Sequence, residues 1–274
     1  MNNARRYIHG YDRRESERLS AQASSVLDLL HGDTRYPAGG RVLEVGCGTG
    51  AQTVTLARNS PQAHIVSFDR SAGSLAQAMA RVGEAAVANV ELVHADLFAL
   101  PFAPDSFDHV FVCFVLEHLP IPVPALLLLK AVLKPGGTIT LFEGDHGSTY
   151  FHPHSNAAHR AIDCQVELQR RAGGNACIGR QVYPLLVEAG YVDARVSPRM
   201  VYVDATRPDL IDTFTRQTFT WMVEGVRTQA LEAGIIDAVT FDAGIRDLYR
   251  VAEEDGVFCY TFFKGVAAKP GRTP

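Results

Sequence analysis

Short apolar runs alternate with polar, glycine-containing segments through the first half of the chain. The runs are RVLEV, HIVSFD, VELVHAD, DHVFVCFV and TITLFEGD, and helical spacing of apolar residues separates them, as in the alanine-rich segment 75–82. Continuous apolar runs joined by helices are typical of parallel strands that are buried on both faces. The pattern therefore predicts an α/β fold: a doubly wound, mostly parallel sheet of about seven strands.

The second half predicts additions to this sheet. GRQVYPLLVEAGY reads as a helix, and ARVSPRMVYVD and VFCYTFFKGVA read as two strands that could pair at one sheet edge. Between those strands, residues 208–255 are mainly helical by pattern and form an insertion, which in such folds usually builds a lid or an oligomer contact. The sequence therefore leaves open whether the protein forms a homodimer. Helical spacing over residues 18–30 completes the prediction of an N-terminal helical lid segment (1–38) before a main domain (39–274).

Composition narrows the class of protein. The 274 residues are 47% hydrophobic and carry a net charge of −4, so no basic surface favours nucleic acid as a partner. The five cysteines form no CxxC pair, which favours reduced thiols in a cytoplasm. The polar N-terminus does not read as a signal peptide, and the most apolar run is broken by Glu117, His118 and prolines. We expect a cytoplasmic protein without a membrane partner.

Glycines and carboxylates follow the predicted strands at the positions where ligands bind in open α/β sheets. Gly46, Gly48 and Gly50 allow a tight turn after the first strand, while Asp69 and Asp96 end the second and third. Either aspartate could instead cap a helix or close a turn. The spacing GxGxG differs from the GxGxxG of dinucleotide sites, and there is no GK[ST] for a nucleoside triphosphate. We therefore predict a nucleotide-type cofactor at this edge, with a dinucleotide as one alternative.

In combination, these segments resemble a known family. VLEVGCGTG, ADLFALPFAPDSFDHVFVCFVLEHL and LKPGGTI, together with the aspartate that ends the second strand, are similar to class I S-adenosylmethionine-dependent methyltransferases over roughly residues 41–143. The pattern is similar to a small-molecule branch that includes quinone C-methyltransferases and unassigned bacterial and archaeal methyltransferases. The resemblance implies S-adenosyl-L-methionine as cofactor. The cofactor-binding residues that we expect are Glu44, Gly46, Cys47, Gly48, Asp69, Arg70, Asp96, Leu97, Cys113 and Phe114.

The resemblance also implies what parts of the cofactor these residues hold. Glu44 and the turn at Gly46 would hold the methionine end, partly through water. Asp69 would bind the ribose hydroxyls, and Asp96 with the backbone of Leu97 would hold the adenine. The main chain around Cys113 and Phe114 would approach the sulfonium.

Methyl transfer from a sulfonium is an in-line displacement, so the protein mainly supplies alignment and excludes water. A base is needed only when the accepting atom must lose a proton. The fifth predicted strand delivers Glu143, Asp145 and His146 to the ligand-binding edge, and we predict these as catalytic residues. Glu117 and His118 follow the fourth strand and are candidates for substrate contact, although His118 more readily reads as a residue that fixes its loop.

Further substrate contacts are expected from three segments. Tyr7 and Tyr11, with His9 between them, could close over the cofactor or could simply pack the N-terminal helix. Trp221 belongs to the aromatic segment TFTRQTFTWMVEGV, which is more often core than substrate cage; if it lines a pocket, the acceptor is apolar or aromatic. Arg180 could contact a carboxylate, although a surface arginine is the simpler interpretation.

The stretch EGDHGSTYFHPH has ligand-type side chains at Asp145, His146, His152 and His154. Its spacing matches no established zinc pattern. We interpret its later part as an extended loop in which the two histidines flanking Pro153 point in opposite directions. We therefore predict no metal site.

The sequence predicts an S-adenosylmethionine-dependent methyltransferase that acts on a small molecule, with specialised metabolism as its setting. Carbon, nitrogen and oxygen all remain open as accepting atoms, with a slight preference for an aromatic or isoprenoid-like acceptor. The alternative is a methyltransferase-fold cyclase or a cofactor-binding protein without methyl transfer.

Overall fold

The computed structural model describes residues 26, 27 and 29–271. The predicted substrate contacts Tyr7 and Tyr11, and His9 between them, lie outside the described residues. Of the helix predicted over residues 18–30, the described part is α1, which ends at residue 31.

Seven strands form one sheet in the order β3-β2-β1-β4-β5-β7-β6. Their bounds are β1 Arg41–Val45, β2 His64–Asp69, β3 Val90–His94, β4 Phe107–Cys113, β5 Leu133–His152, β6 Val192–Val203 and β7 Val257–Ala268. Strands β1 to β5 pair in parallel, with Leu43 in register with Val66 on one side and Val110 on the other. The doubly wound, mostly parallel fold is confirmed, and β6 and β7 are neighbours at one edge as predicted.

Helices connect the strands. Their bounds are α2 Ala51–Asn59, α3 Ala72–Glu84, α4 Pro122–Val132, α5 Asn156–Arg171, α6 Val182–Glu188, α7 Pro208–Leu210, α8 Trp221–Gly225, α9 Arg227–Glu232 and α10 Ala238–Arg250. Helix starts follow local chemistry, because Ser71 accepts from the N–H of Ser74 at 3.1 Å and Asp237 accepts from the N–H of Thr240 at 2.8 Å. No helix in the described part of the chain combines the length and the apolar character needed to cross a membrane.

Strand β5 departs from the sequence prediction. It continues past its predicted end near Asp145 to His152, so the extended loop predicted for the later part of EGDHGSTYFHPH was wrong as far as His152. The polar composition of this segment indicated a loop, but its polar groups form hydrogen bonds with each other inside the strand. The carboxylate of Asp145 accepts from the N–H of Gly147 at 3.0 Å, and Ser148 Oγ donates to the carbonyl of Asp145 at 2.6 Å.

The described residues fall into two compact units. The first, which we call the glycine-loop unit, contains residues up to Glu143, Ile178–Arg199 and the residues from Phe263 onward, with residues 26 and 27 left out. The second, which we call the aromatic unit, contains Gly144–Cys177 and Met200–Phe262. The predicted division at residues 38 and 39 stays a prediction.

The core of the glycine-loop unit surrounds its strands. Leu43, Phe107 and Leu141 are fully buried there, as are Leu126 and Leu129 of α4. A central parallel sheet covered by helices leaves both faces of each strand apolar, which is why its sequence runs are continuous.

The insertion predicted over residues 208–255 is helical, and its middle is unusual. Residues Ile211–Thr220 form a π-helix, a conformation that is rare and is frequently found at functional sites. Threonine hydroxyls bond back along it, from Thr218 to the carbonyl of Thr213 and from Thr220 to that of Thr215, both at 2.7 Å. Its Phe214 and Phe219 are buried in the aromatic unit.

Candidate active site

The turn after β1 depends on glycine for two separate reasons. Gly46, Gly48 and Gly50 have φ values of 64°, 53° and 77°, in the left-handed region that side chains disfavour. A Cβ at Gly46 would lie 2.8 Å from Val115 Cγ2, whereas one at Gly48 would meet nothing within 4 Å. The backbone at Gly48 is therefore left open for a close approach by a ligand.

Asp69 ties this turn to the end of β2. Its carboxylate accepts from the N–H of Gly48 at 2.9 Å and from the N–H of Ser71 at 2.8 Å, through different oxygens. Each carboxylate oxygen has a second lone pair, so both can accept one further hydrogen bond. The half-buried side chain thus supports the turn and keeps acceptor capacity for a ligand.

Glu44 lies on β1 just before the turn. It is buried, and its carboxylate accepts a 2.6 Å hydrogen bond from Ser67 Oγ. Burial is the main cause that raises the pKa of Glu44 to about 7. The side chain can therefore exchange a proton near neutrality or present an acceptor to a positively charged group.

The end of β3 carries a second aspartate. Asp96 is exposed, and its carboxylate accepts from the N–H of Phe98 at 2.8 Å, which caps the short 3₁₀ turn Leu97–Ala99. The capping role considered from the sequence is thus present, and a second lone pair remains for a ligand. Arg70 is also exposed, and its carbonyl lies 3.0 Å from His94 Nε2. Cofactor roles for Asp96, Leu97 and Arg70 stay predictions.

Glu143 anchors the loop that follows β4. Its carboxylate is fully buried and accepts from the N–H groups of Val115, Leu116 and Glu117 at 3.1, 2.7 and 3.4 Å. Burial, followed by the charge of Glu117, raises the pKa of Glu143. These contacts show that Glu143 holds the loop, and the interpretation of His118 as a residue that also fixes it stays a prediction. His118 Nε2 is 3.7 Å from Glu117 Oε1. The catalytic role of Glu143 stays a prediction.

The two cysteines among the expected cofactor contacts are protonated thiols at neutral pH. Burial is the main cause that raises the pKa of Cys47 and of Cys113, and nearby carboxylates raise it further. A thiol that stays protonated is a poor nucleophile. Phe114 has a φ of 57°, and its N–H donates to the carbonyl of Phe142 at 2.9 Å. The main-chain contact expected from Cys113 and Phe114 stays a prediction.

The glycine-loop unit brings the expected cofactor residues together along one edge. Asp96, Asp69, the glycine turn and Phe114 follow β3, β2, β1 and β4, which are neighbours in the sheet. Side by side, the carboxyl ends of parallel strands form the place where this kind of sheet binds ligands. Arg180 lies in the same unit, where it is exposed in the 3₁₀ turn Ile178–Gln181.

Asp145, His146 and Trp221 belong to the aromatic unit. His146 Nδ1 lies 3.0 Å from the Tyr260 hydroxyl and 3.1 Å from the carbonyl oxygen of Ala176. Trp221 is half-buried at the first position of α8. Tyr260 was missed by the sequence reasoning, although a tyrosine hydroxyl within the apolar run VFCYTFF is a signal that could have found it.

No group of three or more His, Cys, Asp or Glu side chains arranged to hold a metal ion occurs among residues 26, 27 and 29–271. His154 contacts Asn156 at 3.0 Å and stands beside the ring of His159. The expectation that the protein has no metal site stays a prediction.

Comparison with known proteins places this edge in a family. Residues 42–137 match the family described as methyltransferase domain. The demethylmenaquinone methyltransferase of Listeria welshimeri is 36% identical over 110 residues, which are 40% of this chain and 47% of that protein. The chain thus spans about half the length of the curated relatives it matches.

Solved structures agree in fold. Phosphoethanolamine N-methyltransferase 2 of Haemonchus contortus gives a TM-score of 0.59 at 17% identity, covering 97% of this chain and 60% of that one. The [4+2]-cyclase SpnF gives 0.56 at 21% identity, covering 91% and 83%. At such identities the likeness concerns the fold alone. The match over residues 42–137 shows that the chain contains a methyltransferase domain, and the solved structures share its fold.

Proposed function

We propose that this protein is an S-adenosylmethionine-dependent methyltransferase that acts on a small molecule. The observation that carries the proposal is the edge where the glycine turn, Asp69 and Asp96 follow neighbouring parallel strands. The buried Thr49 hydroxyl in the turn has no hydrogen-bond partner among the described residues, which suits a site completed by a ligand.

The residues at this edge fit the cofactor's parts. Asp69 would accept from the ribose hydroxyls, and Asp96 with the backbone of Leu97 would hold the adenine. Glu44 and the turn at Gly46 would hold the charged methionine end. When bound, S-adenosylmethionine supplies an electrophilic methyl group; the protein binds and orients it and keeps water away.

For the acceptor we propose a small aromatic or isoprenoid-like molecule, and we place the reaction in specialised metabolism in the cytoplasm. Two observations support this choice. Trp221, which follows the π-helix in the aromatic unit, is half-buried and keeps part of its ring surface exposed. One group of relatives is named for a demethylated menaquinone as its substrate. Carbon, nitrogen and oxygen remain open as the accepting atom.

The test separates binding from transfer. Calorimetry with S-adenosylmethionine should show binding to the full chain, with Asp69→Ala weakened and Glu84→Ala, an exposed carboxylate at the end of α3, unchanged. Incubation with methyl-labelled cofactor and demethylmenaquinone, phosphoethanolamine or a metabolite extract should then yield a labelled product. Tight binding without a product from any of these would favour the cyclase or the cofactor-binding alternative. Binding of a nicotinamide dinucleotide in place of S-adenosylmethionine would establish the dinucleotide alternative.

The predicted catalytic group is tested by His146→Ala. If His146 serves the acceptor, this substitution lowers kcat while cofactor affinity stays near that of the wild type, because the cofactor contacts that we propose belong to the glycine-loop unit. A loss of cofactor affinity with an unchanged kcat would remove His146 from the acceptor side.

A further inference from the structure

The loop after β4 and the turn after β1 lie side by side in the glycine-loop unit. Strands β1 and β4 pair in parallel, with Val45 in register with Val112, so the segments that follow them leave the sheet at the same edge. Val115 of the loop meets Gly46 of the turn, because a Cβ at Gly46 would lie 2.8 Å from Val115 Cγ2. The valine methyl group thus occupies the space that a side chain at Gly46 would need.

Glu143 fixes the main chain that carries this valine. Its Oε1 accepts from the N–H groups of Val115 at 3.1 Å and of Leu116 at 2.7 Å. The 3₁₀ turn Leu116–His118 begins here, and the first N–H groups of a helical turn have no partner within that turn. The carboxylate supplies the missing acceptor, so the position of Val115 depends on the reach of the Glu143 side chain.

The bend just before the valine needs support as well. Phe114 has a φ of 57°, in the left-handed region that a side chain disfavours. A residue in this region stays there only when the surrounding contacts hold it. The N–H of Phe114 donates to the carbonyl of Phe142 at 2.9 Å, and the next N–H donates to Glu143. Two successive residues of β5 therefore hold the bend that points Val115 at the turn.

The turn that Val115 supports is the one that we propose for the cofactor. Its N–H groups at residues 47, 48 and 50 are hydrogen-bonded, and that of Gly48 donates to Asp69 at 2.9 Å. Val115 packs against the turn at Gly46, where these bonds do not reach. A turn that already has its bound conformation binds a ligand more tightly, because less ordering is needed at the moment of binding.

We infer that Glu143 is a positioning residue for the cofactor turn: it holds Val115 against Gly46, and the valine keeps the turn in the conformation that binds S-adenosylmethionine. This inference deepens the proposed function and rests on it. Glu143 is fully buried, so a role through the loop suits it better than direct contact with a methyl acceptor. The role requires the length and the acceptor oxygen of the side chain and does not require its charge.

Calorimetry of the full chain with S-adenosylmethionine distinguishes these properties. Glu143→Ala should weaken binding roughly tenfold, because the turn must then be ordered as the cofactor binds. Glu143→Asp keeps the charge, shortens the side chain by one carbon and should lose about as much. Glu143→Gln keeps an oxygen at the reach of Oε1 and should bind within about threefold of the wild type. Glu84→Ala, at an exposed position, is the control.

Val115→Ala tests the link itself and leaves the acceptor bonds in place, so it also serves if Glu143→Ala folds poorly. It should weaken binding, and adding Glu143→Ala should weaken it little further, since both act through one contact. Gly46→Ala should bind poorly because its methyl group collides with Val115 Cγ2. Adding Val115→Ala removes both γ-carbons and should recover roughly fivefold in affinity. Val187→Ala, at an exposed position in α6, is the control.

Amide hydrogen exchange in the cofactor-free full chain tests the positioning without any ligand. In Glu143→Ala and in Val115→Ala, the N–H groups of residues 47, 48 and 50 should exchange roughly tenfold faster, because the turn opens locally with less free energy. The N–H groups of β3, which β1 and β2 separate from β4, should exchange as in the wild type. A general loosening of the unit would instead raise exchange in β3 too and would overturn the inference.

Three further results would overturn it: wild-type exchange at the turn in both variants, wild-type affinity in Glu143→Ala, or a defect of Gly46→Ala that Val115→Ala does not relieve. If the wild type does not bind S-adenosylmethionine, the proposed function fails while the differences in exchange remain. Once an acceptor is known, a fall in kcat of roughly a hundredfold or more in Glu143→Gln would identify a general base and would also overturn the inference.

Discussion

Polar side chains in the two units differ in the kind of hydrogen-bond partner they have. In the glycine-loop unit, carboxylates on strands accept hydrogen bonds from the backbone N–H groups of loops, as Asp69 does from Gly48 and Glu143 from Leu116. In the aromatic unit, His146 is bonded to side chains and a carbonyl that are far away in sequence, at Tyr260, Met222 and Ala176. The partners are 21 and 27 positions apart in the first arrangement, and from 30 to 114 positions apart in the second.

Each unit contains a buried histidine, and the surroundings of the two differ. The ring of His31 packs against the rings of Phe142 and Phe111, at 5.0 and 5.5 Å, and burial is the main cause that lowers its pKa to about 4. His146 lies among groups that can accept its protons. The imidazole in the glycine-loop unit is thus kept neutral by apolar surroundings, while the one in the aromatic unit has hydrogen-bonding partners.

The largest effect is expected from the packing of the aromatic unit. Phe214 is fully buried, with its ring 6.0 Å from the rings of Phe258, Tyr260 and Phe262. Phe214→Ala should lower the free energy of unfolding by about 4 kcal/mol, because it removes buried apolar surface and leaves a cavity. Urea unfolding measures this, with Tyr183→Ala at an exposed position as control. A loss below about 1 kcal/mol would mean that the cluster is loosely packed.

A smaller loss is expected from the carboxylate anchor of the glycine-loop unit. Glu143→Ala leaves the N–H groups of residues 115–117 without their acceptor, which should lower the free energy of unfolding by about 3 kcal/mol. Glu143→Gln keeps one carbonyl oxygen and should lose less. If both variants unfold at the wild-type urea concentration, the loop is held by other contacts.

For Asp69 the expected effect is on cofactor affinity and not on the free energy of unfolding. Asp69→Ala should weaken cofactor binding by about 2 kcal/mol, because the ribose hydroxyls lose a charged acceptor and the N–H of Gly48 loses its partner. Calorimetry with S-adenosylmethionine measures the change. An unchanged affinity would remove Asp69 from the cofactor site, and a matching loss in Phe214→Ala would blur the contrast between the units.

The smallest effect concerns pH. The folded-state pKa of His31, about 4, is below its unfolded value near 6.5, so the unfolded chain binds more protons between these two pH values. The stability from neutral, buried His31 is complete above that window and is lost as pH falls through it. Between about pH 7.5 and 5.5 the loss should be about 1 kcal/mol. His31→Phe should remove this part of the pH dependence, and His64→Gln, at an exposed position, should retain it.

How much could be predicted from sequence depends on how local the deciding contacts are. Strand β2 has the predicted bounds, and the glycine turn lies where the strand pattern put it, because an apolar run and left-handed glycines are local properties. Strand β5 was predicted too short, because serine, aspartate and glycine in EGDHGS read as a turn while their bonds inside the strand were invisible. The sequence likewise did not predict the π-helix, because its composition is that of an ordinary helix.

Residue types at short spacing were enough to predict the parallel sheet, the glycine turn and the carboxylates at the ends of neighbouring strands. The folded structure was needed to show that Glu143 holds the loop after β4 and that Tyr260 contacts His146 beside Gly144. These contacts join residues 27 and 114 positions apart. Their geometry depends on strand register and on the room left by a missing side chain, neither of which is encoded in a local pattern.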